Sequence, residues 1–138
     1  MTDTIIVRDT GFASDDWADA IAPLDGVLAG DGTAVDLPAD ADPAALAPHL
    51  DRLALIRVHF ASFSDGRGFT HAMTLRRMGF AGRLRAAGHV IADQYAMARR
   101  SGFDEVEISA DLAARQPAAQ WLARADWRAH DYRSRLRG

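Results

Sequence analysis

From residue 33 onward the chain alternates short apolar, β-branched segments with segments of helical character, and this alternation restricts the possible folds most strongly. The strand-like segments are Thr33–Leu37, Leu53–Phe60, Leu84–Ala87 and Asp104–Ser109. The helical segments are 43–50, 69–78, 90–100 and 116–125. This order predicts an α/β fold with a small, mostly parallel sheet, built from successive βα units with right-handed crossovers.

Local signals support individual elements and add two more. Pro43 directly after Asp42 is typical of a helix start, and Gly102 directly after the helical segment 90–100 is typical of a helix end. In the first part of the chain, Thr4–Arg8 is β-branched and predicts one further strand. Asp16–Ile21 has Trp17 and Ile21 at helical spacing and predicts a short helix.

The length of 138 residues predicts one domain. Within it we distinguish an acidic N-terminal portion (1–51), a core (52–125) and a polar tail (126–138) whose end we expect to be disordered. Three or four parallel strands are also half of an eight-stranded barrel. A homodimer that completes a barrel is therefore an alternative.

Two absences from the composition exclude several kinds of chemistry. The chain has no cysteine, which excludes disulfides, thiolate zinc sites and cysteine-ligated iron–sulfur clusters. It has no lysine either, so it forms no Schiff base and supplies no P-loop lysine. No apolar run is long enough for a membrane span, and the N-terminus lacks the pattern of a signal peptide. We therefore expect a cytoplasmic protein with no membrane partner.

The charges are distributed unevenly. Residues 1–51 hold eleven aspartates and one arginine, whereas residues 52–138 hold fifteen arginines and eight acids. Three interpretations are open: pairing between the two parts, a site for a small anion or a partner, and nucleic-acid binding. The third is disfavoured, because the sequence pI is about 5.9 and no nucleic-acid-binding motif is present.

Ligands of open parallel sheets bind at the carboxyl ends of the strands, which directs attention to residues 62–69, 88–94 and 109–112. Arg67, flanked by Gly66 and Gly68, combines a bidentate guanidinium with backbone that a ligand can approach closely. These loops also hold three candidates for proton transfer, which are Asp65, His89 and Asp93. Further candidate anion ligands are Arg76, Arg85 and Gln94.

Alternative interpretations of these residues remain. Gly66-Arg67-Gly68 resembles the opening of a dinucleotide-binding motif, but His71 stands where the third glycine is expected. Ser64-Asp65-Gly66 also suits a simple turn. His59, His71 and His89 flank two strands and one helix and could meet as zinc ligands, but their spacing is unspecific. We predict no metal site.

Residues 60–103, FASFSDGRGFTHAMTLRRMGFAGRLRAAGHVIADQYAMARRSGF, closely resemble a bacterial family known as domain of unknown function 934. The shared pattern runs F-x-x-F-[ST]-D-G-R-G-[FY]-[ST], then L-R, G-F-x-G-x-L-R-A-x-G, D-Q and R-x-G-F-D. The chain departs from it at Ala61, where proline is usual, and at His89, where aspartate is common.

Members of that family are described as oxidoreductases of sulfite reduction, because their genes lie beside those for assimilatory sulfite reductase. The resemblance therefore implies an accessory protein of sulfite reduction with an arginine-lined anion site and with sulfite reductase as its partner. Two alternatives stay open. One is an enzyme that uses a diffusible flavin or nicotinamide cofactor, with Asp65, His89 or Asp93 moving a proton. The other is a non-catalytic binding partner of the reductase.

Overall fold

A computed structural model describes residues 4–127 of the chain. The strands are β1 (Thr4–Arg8), β2 (Gly11–Ala13), β3 (Ala34–Leu37), β4 (Leu55–Phe60), β5 (Arg83–Gly88) and β6 (Glu105–Ser109). The α-helices are α1 (Leu24–Leu28), α2 (Arg67–Arg77), α3 (Tyr95–Ser101), α4 (Ala110–Arg115) and α5 (Ala118–Leu122). Two 3₁₀ helices cover Pro43–His49 and Ala92–Gln94.

The strands form one mixed sheet in the order β2-β1-β6-β5-β4-β3. β3, β4, β5 and β6 are parallel, as the alternation predicts, whereas β1 is antiparallel to both β6 and β2. The α/β class is confirmed, but the prediction of a mostly parallel sheet needs correction. β2 was missed because it is only three residues long. The reversal before it depends on Gly11, whose φ of 121° favours glycine.

Two helix predictions differ from the structure. Residues 16–21 form neither a helix nor a strand, and the first helix is α1. The helix predicted at 116–125 is instead the short α5, and α4 precedes it. α4 ends at Arg115 because the next residue, Gln116, precedes Pro117, and a residue before proline is disfavoured in helical conformation. The expected start at Pro43 is correct, and Asp42 Oδ1 accepts a hydrogen bond from Ala44 N at 2.9 Å.

One face of the sheet packs against the helices and holds the hydrophobic core. Strand alternation directs Ile56, Val58 and Phe60 of β4 to this side, beside Leu84 of β5 and Val106 of β6, and all five are buried. The opposite face, which we call the charged face, carries the intervening side chains. The polar ones include Arg8, Asp36, Arg57, His59, Arg83, Arg85, Glu105 and Glu107, and the same face also carries the buried apolar residues Ile6, Ala34, Leu55 and Ala87.

Residues 14–21, which we call the crossing segment, pass over the charged face from one edge of the sheet to the other. The segment leaves β2 at one edge and leads to Ala22, which pairs with Val35 of β3 at the opposite edge. On the way, Asp16 Oδ1 accepts a hydrogen bond from Arg8 Nη2 at 2.8 Å. The interpretation that acids of the first part pair with arginines of the second is confirmed for Asp15 with Arg85.

Candidate functional site

A cavity of about 690 Å³ opens at the carboxyl ends of β4, β5 and β6. We call it the carboxyl-edge cavity, and it lies where ligands of parallel sheets usually bind. Its polar walls are formed by Thr4, His59, His89, Glu107, Ser109, Arg115 and Gln116. Its apolar walls are formed by Phe63, Ala87, Gly88, Ile91, Ile108 and Leu112. A space of this size and mixed lining is typical of small-molecule sites.

One acid in this lining, Glu107, is hydrogen-bonded to two arginines of the charged face. It is mostly buried and accepts hydrogen bonds from Arg57 Nη1 at 3.1 Å and from Arg85 Nη1 at 2.8 Å. Arg115 is exposed, and the structure of residues 4–127 gives it no acidic partner. Within the lining, the acid Glu107 is therefore already hydrogen-bonded to two arginines, whereas the guanidinium of Arg115 has no acidic partner among the described residues.

His59 enters the cavity from the charged face. Its Nε2 lies 3.0 Å from Asp36 Oδ1 on the neighbouring strand β3. Arg57 holds the same carboxylate through Nε and Oδ1 at 2.5 Å and through Nη2 and Oδ2 at 2.9 Å. Burial raises the pKa of Asp36, but hydrogen bonds from His59 and Arg57 outweigh it and hold the pKa below its ordinary value.

Arg85 lies at the centre of the charged face and is fully buried. Its Nε donates to Glu105 Oε2 at 2.6 Å, and its Nη2 donates to Asp15 Oδ1 at 3.0 Å. Burial lowers the pKa of Arg85, but hydrogen bonds to Asp15 and Glu105 outweigh it and raise the pKa above its ordinary value. As expected for an arginine on a central strand, Arg85 has partners inside the protein.

Arg76 lies at the amino ends of β5 and β6, whereas the cavity lies at their carboxyl ends. Its guanidinium donates to the carbonyl oxygens of Gly102, Phe80 and Gly82 at 2.8–3.0 Å. Its Nη2 also donates to Asp104 Oδ2 at 2.9 Å. These carbonyls precede β5 and β6, so in this structure Arg76 joins the two loops that lead into those strands.

Asp65 and Arg67 pair with each other in the exposed loop before α2. Asp65 Oδ1 accepts hydrogen bonds from the backbone N of Arg67 at 3.1 Å and from its Nε at 2.9 Å. The Arg67 guanidinium holds the pKa of Asp65 at about 2. Neither side chain lines the carboxyl-edge cavity, and a ligand role for the pair stays a prediction.

The two glycines beside Arg67 differ. A Cβ on Gly66 would meet open space, whereas a Cβ on Gly68 would lie 2.3 Å from Cζ of Phe60. Gly68 therefore lets α2 approach the ring of Phe60. This packing accounts for one glycine of the motif without a ligand.

Of the remaining candidates, His89 lines the cavity beside Gly88. Gln94 connects two of its walls, because its Oε1 accepts from Ile91 N at 3.1 Å and its Nε2 donates to the carbonyl of Phe63. Asp93 is mostly exposed, lies outside the cavity and pairs with Arg124 at 2.9 Å. The structure thus brings His89 to the cavity, with Gln94 as a support, and leaves Asp93 outside it.

The alternative of a zinc site formed by three histidines is not realised. The Nε2 of His71 lies 2.8 Å from the carbonyl oxygen of Ala39. His59 is oriented by Asp36. Residues 4–127 hold no group of three or more His, Asp or Glu side chains placed to bind a metal ion.

The comparison with protein families agrees with the motif. The model of a family described as "Bacterial protein of unknown function (DUF934)" matches residues 34–136, which is more than half of the chain. The chain belongs to this family. No curated protein and no solved structure matches it. Among the described residues of this DUF934 protein, no helix is long and apolar enough to cross a membrane.

Sequence reasoning missed several residues of the site in this DUF934 protein. His59 was considered only as a metal ligand, although its alternation with Val58 and Phe60 indicated that it faces away from the core. Alternation on β6 likewise places Glu107 opposite Val106. No sequence signal indicated Arg115, because its position depends on how α4 folds back from β6 over the strand ends.

Proposed function

We propose that this DUF934 protein binds a small organic acid or oxyanion in the carboxyl-edge cavity, and that it does so as an accessory protein of sulfite reduction. The observation that carries the binding proposal is the lining. The hydrogen-bonding groups of His89, Arg115 and Gln116 line the same cavity as the apolar side chains of Phe63 and Leu112. Such a surface favours a ligand with a negative group at one end and an apolar body at the other.

The electrostatics of the lining support an anionic ligand. Arg115 has a guanidinium suited to bidentate binding of a carboxylate, sulfate or phosphate. The acid in the same lining, Glu107, already accepts from two arginines. A bound anion would therefore meet little repulsion.

The connection with sulfite reduction depends on the resemblance of residues 60–103 to the family, through its gene neighbourhood. Sulfite and sulfate are therefore the first probes. The two alternatives predict other results. An enzyme with a diffusible cofactor would be stabilised by a flavin or a nicotinamide nucleotide, and a non-catalytic partner would co-elute with sulfite reductase in a salt-sensitive way.

A thermal-shift titration tests the proposal. The probes are sulfite, sulfate, phosphate, benzoate, a flavin and a nicotinamide nucleotide, with chloride at matched ionic strength as the reference. A ligand at about 100 times its Kd adds roughly 2.7 kcal/mol to the free energy of unfolding, which raises Tm by several degrees. We expect such a shift with at least one anion.

Two matched arginine variants locate the binding site. We expect Arg115→Ala to abolish the shift and Arg67→Ala to preserve it, because Arg115 lines the cavity and Arg67 pairs with Asp65 outside it. The reverse result would move the anion site to the loop 65–68 and overturn the cavity. No shift with any probe would favour a protein partner.

A further inference from the structure

Within the carboxyl-edge cavity, the ring of His59 is hydrogen-bonded to the carboxylate of Asp36, and Arg57 holds that carboxylate in place. Asp36 accepts from His59 through Oδ1 and from Arg57 through both oxygens. Asp36 and Arg57 are register partners on β3 and β4. The sheet itself therefore positions the carboxylate that orients the ring.

This geometry determines which ring nitrogen carries the proton. The guanidinium of Arg57 contacts both oxygens of Asp36 and so favours the ionised carboxylate, which only accepts hydrogen bonds. The 3.0 Å contact therefore requires a proton on Nε2 of His59. In the neutral ring, Nδ1 then carries the lone pair. Within residues 4–127, Nδ1 makes no hydrogen bond.

The charges around His59 leave this nitrogen available to a ligand. His59 contacts Asp36 on β3 and pairs in register with Ala87 on β5, whose partner on β6 is Glu107. Arg57 and Arg85 lie two residues before this pair on β4 and β5, and His89 lines the same cavity. Both arginines donate to Glu107, so that carboxylate already has hydrogen-bond partners on the charged face. The His59 side chain is 43% exposed, which admits a ligand.

We propose that His59 is the proton-transfer residue of the carboxyl-edge cavity and that Asp36 is its positioning residue. An acidic ligand beside Nδ1 transfers its proton to that nitrogen, and the conjugate base stays next to the new imidazolium. When the ligand arrives as an anion, Nδ1 takes up a proton from the buffer acid, which is left as its conjugate base. In both cases Nε2–H stays on Asp36, which stabilises the cation. Return of the proton to the ligand restores the neutral ring.

The inference rests on the proposed function only in requiring a ligand in the cavity, and its first test needs none. Long-range ¹H–¹⁵N NMR of ¹⁵N-histidine-labelled protein reports which ring nitrogen is protonated, with His59→Gln to assign the signals. We expect the Nε2–H tautomer of His59 in the neutral ring. In Asp36→Asn, whose amide can donate to Nε2, we expect the Nδ1–H tautomer to become substantial. The control His89→Gln should leave the His59 signals unchanged.

The second test measures proton uptake. Calorimetry with sulfite and with benzoate, in two buffers of different ionisation enthalpy, gives the number of protons bound with each anion. We expect uptake of up to about one proton per anion in the natural protein and little uptake in His59→Gln.

The outcomes separate this inference from the proposed function. An Nδ1–H tautomer in the natural protein, an unchanged tautomer in Asp36→Asn, or full proton uptake in His59→Gln would overturn the inference while leaving anion binding intact. The absence of binding by any probe would overturn the proposed function and, with it, proton transfer to a ligand. The tautomer would then describe only how Asp36 holds the ring.

Discussion

At the scale of single residues, Gly68 shows how one atom limits the approach of a helix to the sheet. The ring of Phe60 packs against α2 where Gly68 has no side chain, and a Cβ there would lie within 2.6 Å of three ring atoms. Phe60 also contacts Phe69 edge-on, with ring centroids 5.0 Å apart. The ring lies between β4 and α2, and Phe60 is almost fully buried.

We therefore expect Gly68→Ala to lower the free energy of unfolding by about 1–3 kcal/mol, as overpacking does. Gly66→Ala is the matched control, because its Cβ meets open space. Gly66 has a φ of −75° and a ψ of −8°, which alanine also adopts, so Gly66→Ala should change the free energy of unfolding by less than about 1 kcal/mol. Urea unfolding followed by circular dichroism measures both. In a Phe60→Leu background, the ring that a Cβ at position 68 would meet is absent, so Gly68→Ala should cost less there. Equal costs with Phe60 and with leucine at position 60 would contradict the steric explanation.

At the scale of elements, the crossing segment is held by charge rather than by secondary structure. Asp15 pairs with the buried Arg85, and Asp16 pairs with Arg8 and Arg83. Hydrogen bonds from Arg83 and Arg8 lower the pKa of Asp16 from 3.8 to about 2. Because the folded pKa is below the unfolded one, this contribution to stability is complete above about pH 4 and is lost as the pH falls toward 2.

The double variant Asp15→Asn, Asp16→Asn tests this attachment. We expect it to lower the free energy of unfolding near neutral pH by about 1–3 kcal/mol, because Arg85 loses a charged partner. We also expect the decrease in Tm between pH 4 and pH 2 to become shallower. Asp19→Asn in the same segment is the control, because Asp19 is exposed and makes no ion pair in the described structure. If all three proteins had the same pH profile, these pairs would not hold the segment.

At the scale of the whole molecule, the family match leaves out two strands of the sheet, β1 and β2. The match begins at residue 34. β1 lies between β6 and β2 and contributes Ile6 and Val7, both fully buried. Without residues 4–33, the edge of β6 would be unpaired and Arg85 would lose Asp15. We infer that β1, β2 and the crossing segment unfold cooperatively with residues 34–127, as the prediction of a single domain requires.

A fragment of residues 34–138 tests this inference. We expect it to be aggregated or poorly folded, because it exposes a strand edge and uncovers the charged face. Size-exclusion chromatography and the dispersion of ¹H–¹⁵N NMR spectra distinguish the outcomes. A monomeric fragment with well-dispersed signals and a cooperative unfolding transition would show instead that residues 34–138 fold independently.

Much of the parallel sheet was predictable from local pattern. β4, β5 and β6 were expected within two residues of their ends, because each has apolar residues at alternate positions. The direction of β1 was not predictable, since an isolated strand pattern gives no information on its partner. Residues 16–21 of the crossing segment were predicted as a helix because Trp17 and Ile21 have helical spacing. In the structure, aspartates of the segment pair instead with arginines that are distant in sequence.

For the site, the sequence by itself determined that ligand-binding side chains gather at the carboxyl ends of the parallel strands, because βα units bring these ends together. It also identified His89 as a side chain at these ends and excluded cysteine and lysine chemistry. Only the tertiary structure decided which of many arginines remains open to a ligand. Arg76 and Arg85 are bound by groups distant in sequence, whereas Arg115 is left exposed. The physical reason is that a charge is neutralised by neighbours in space, and for these arginines the neighbours come from other strands and loops.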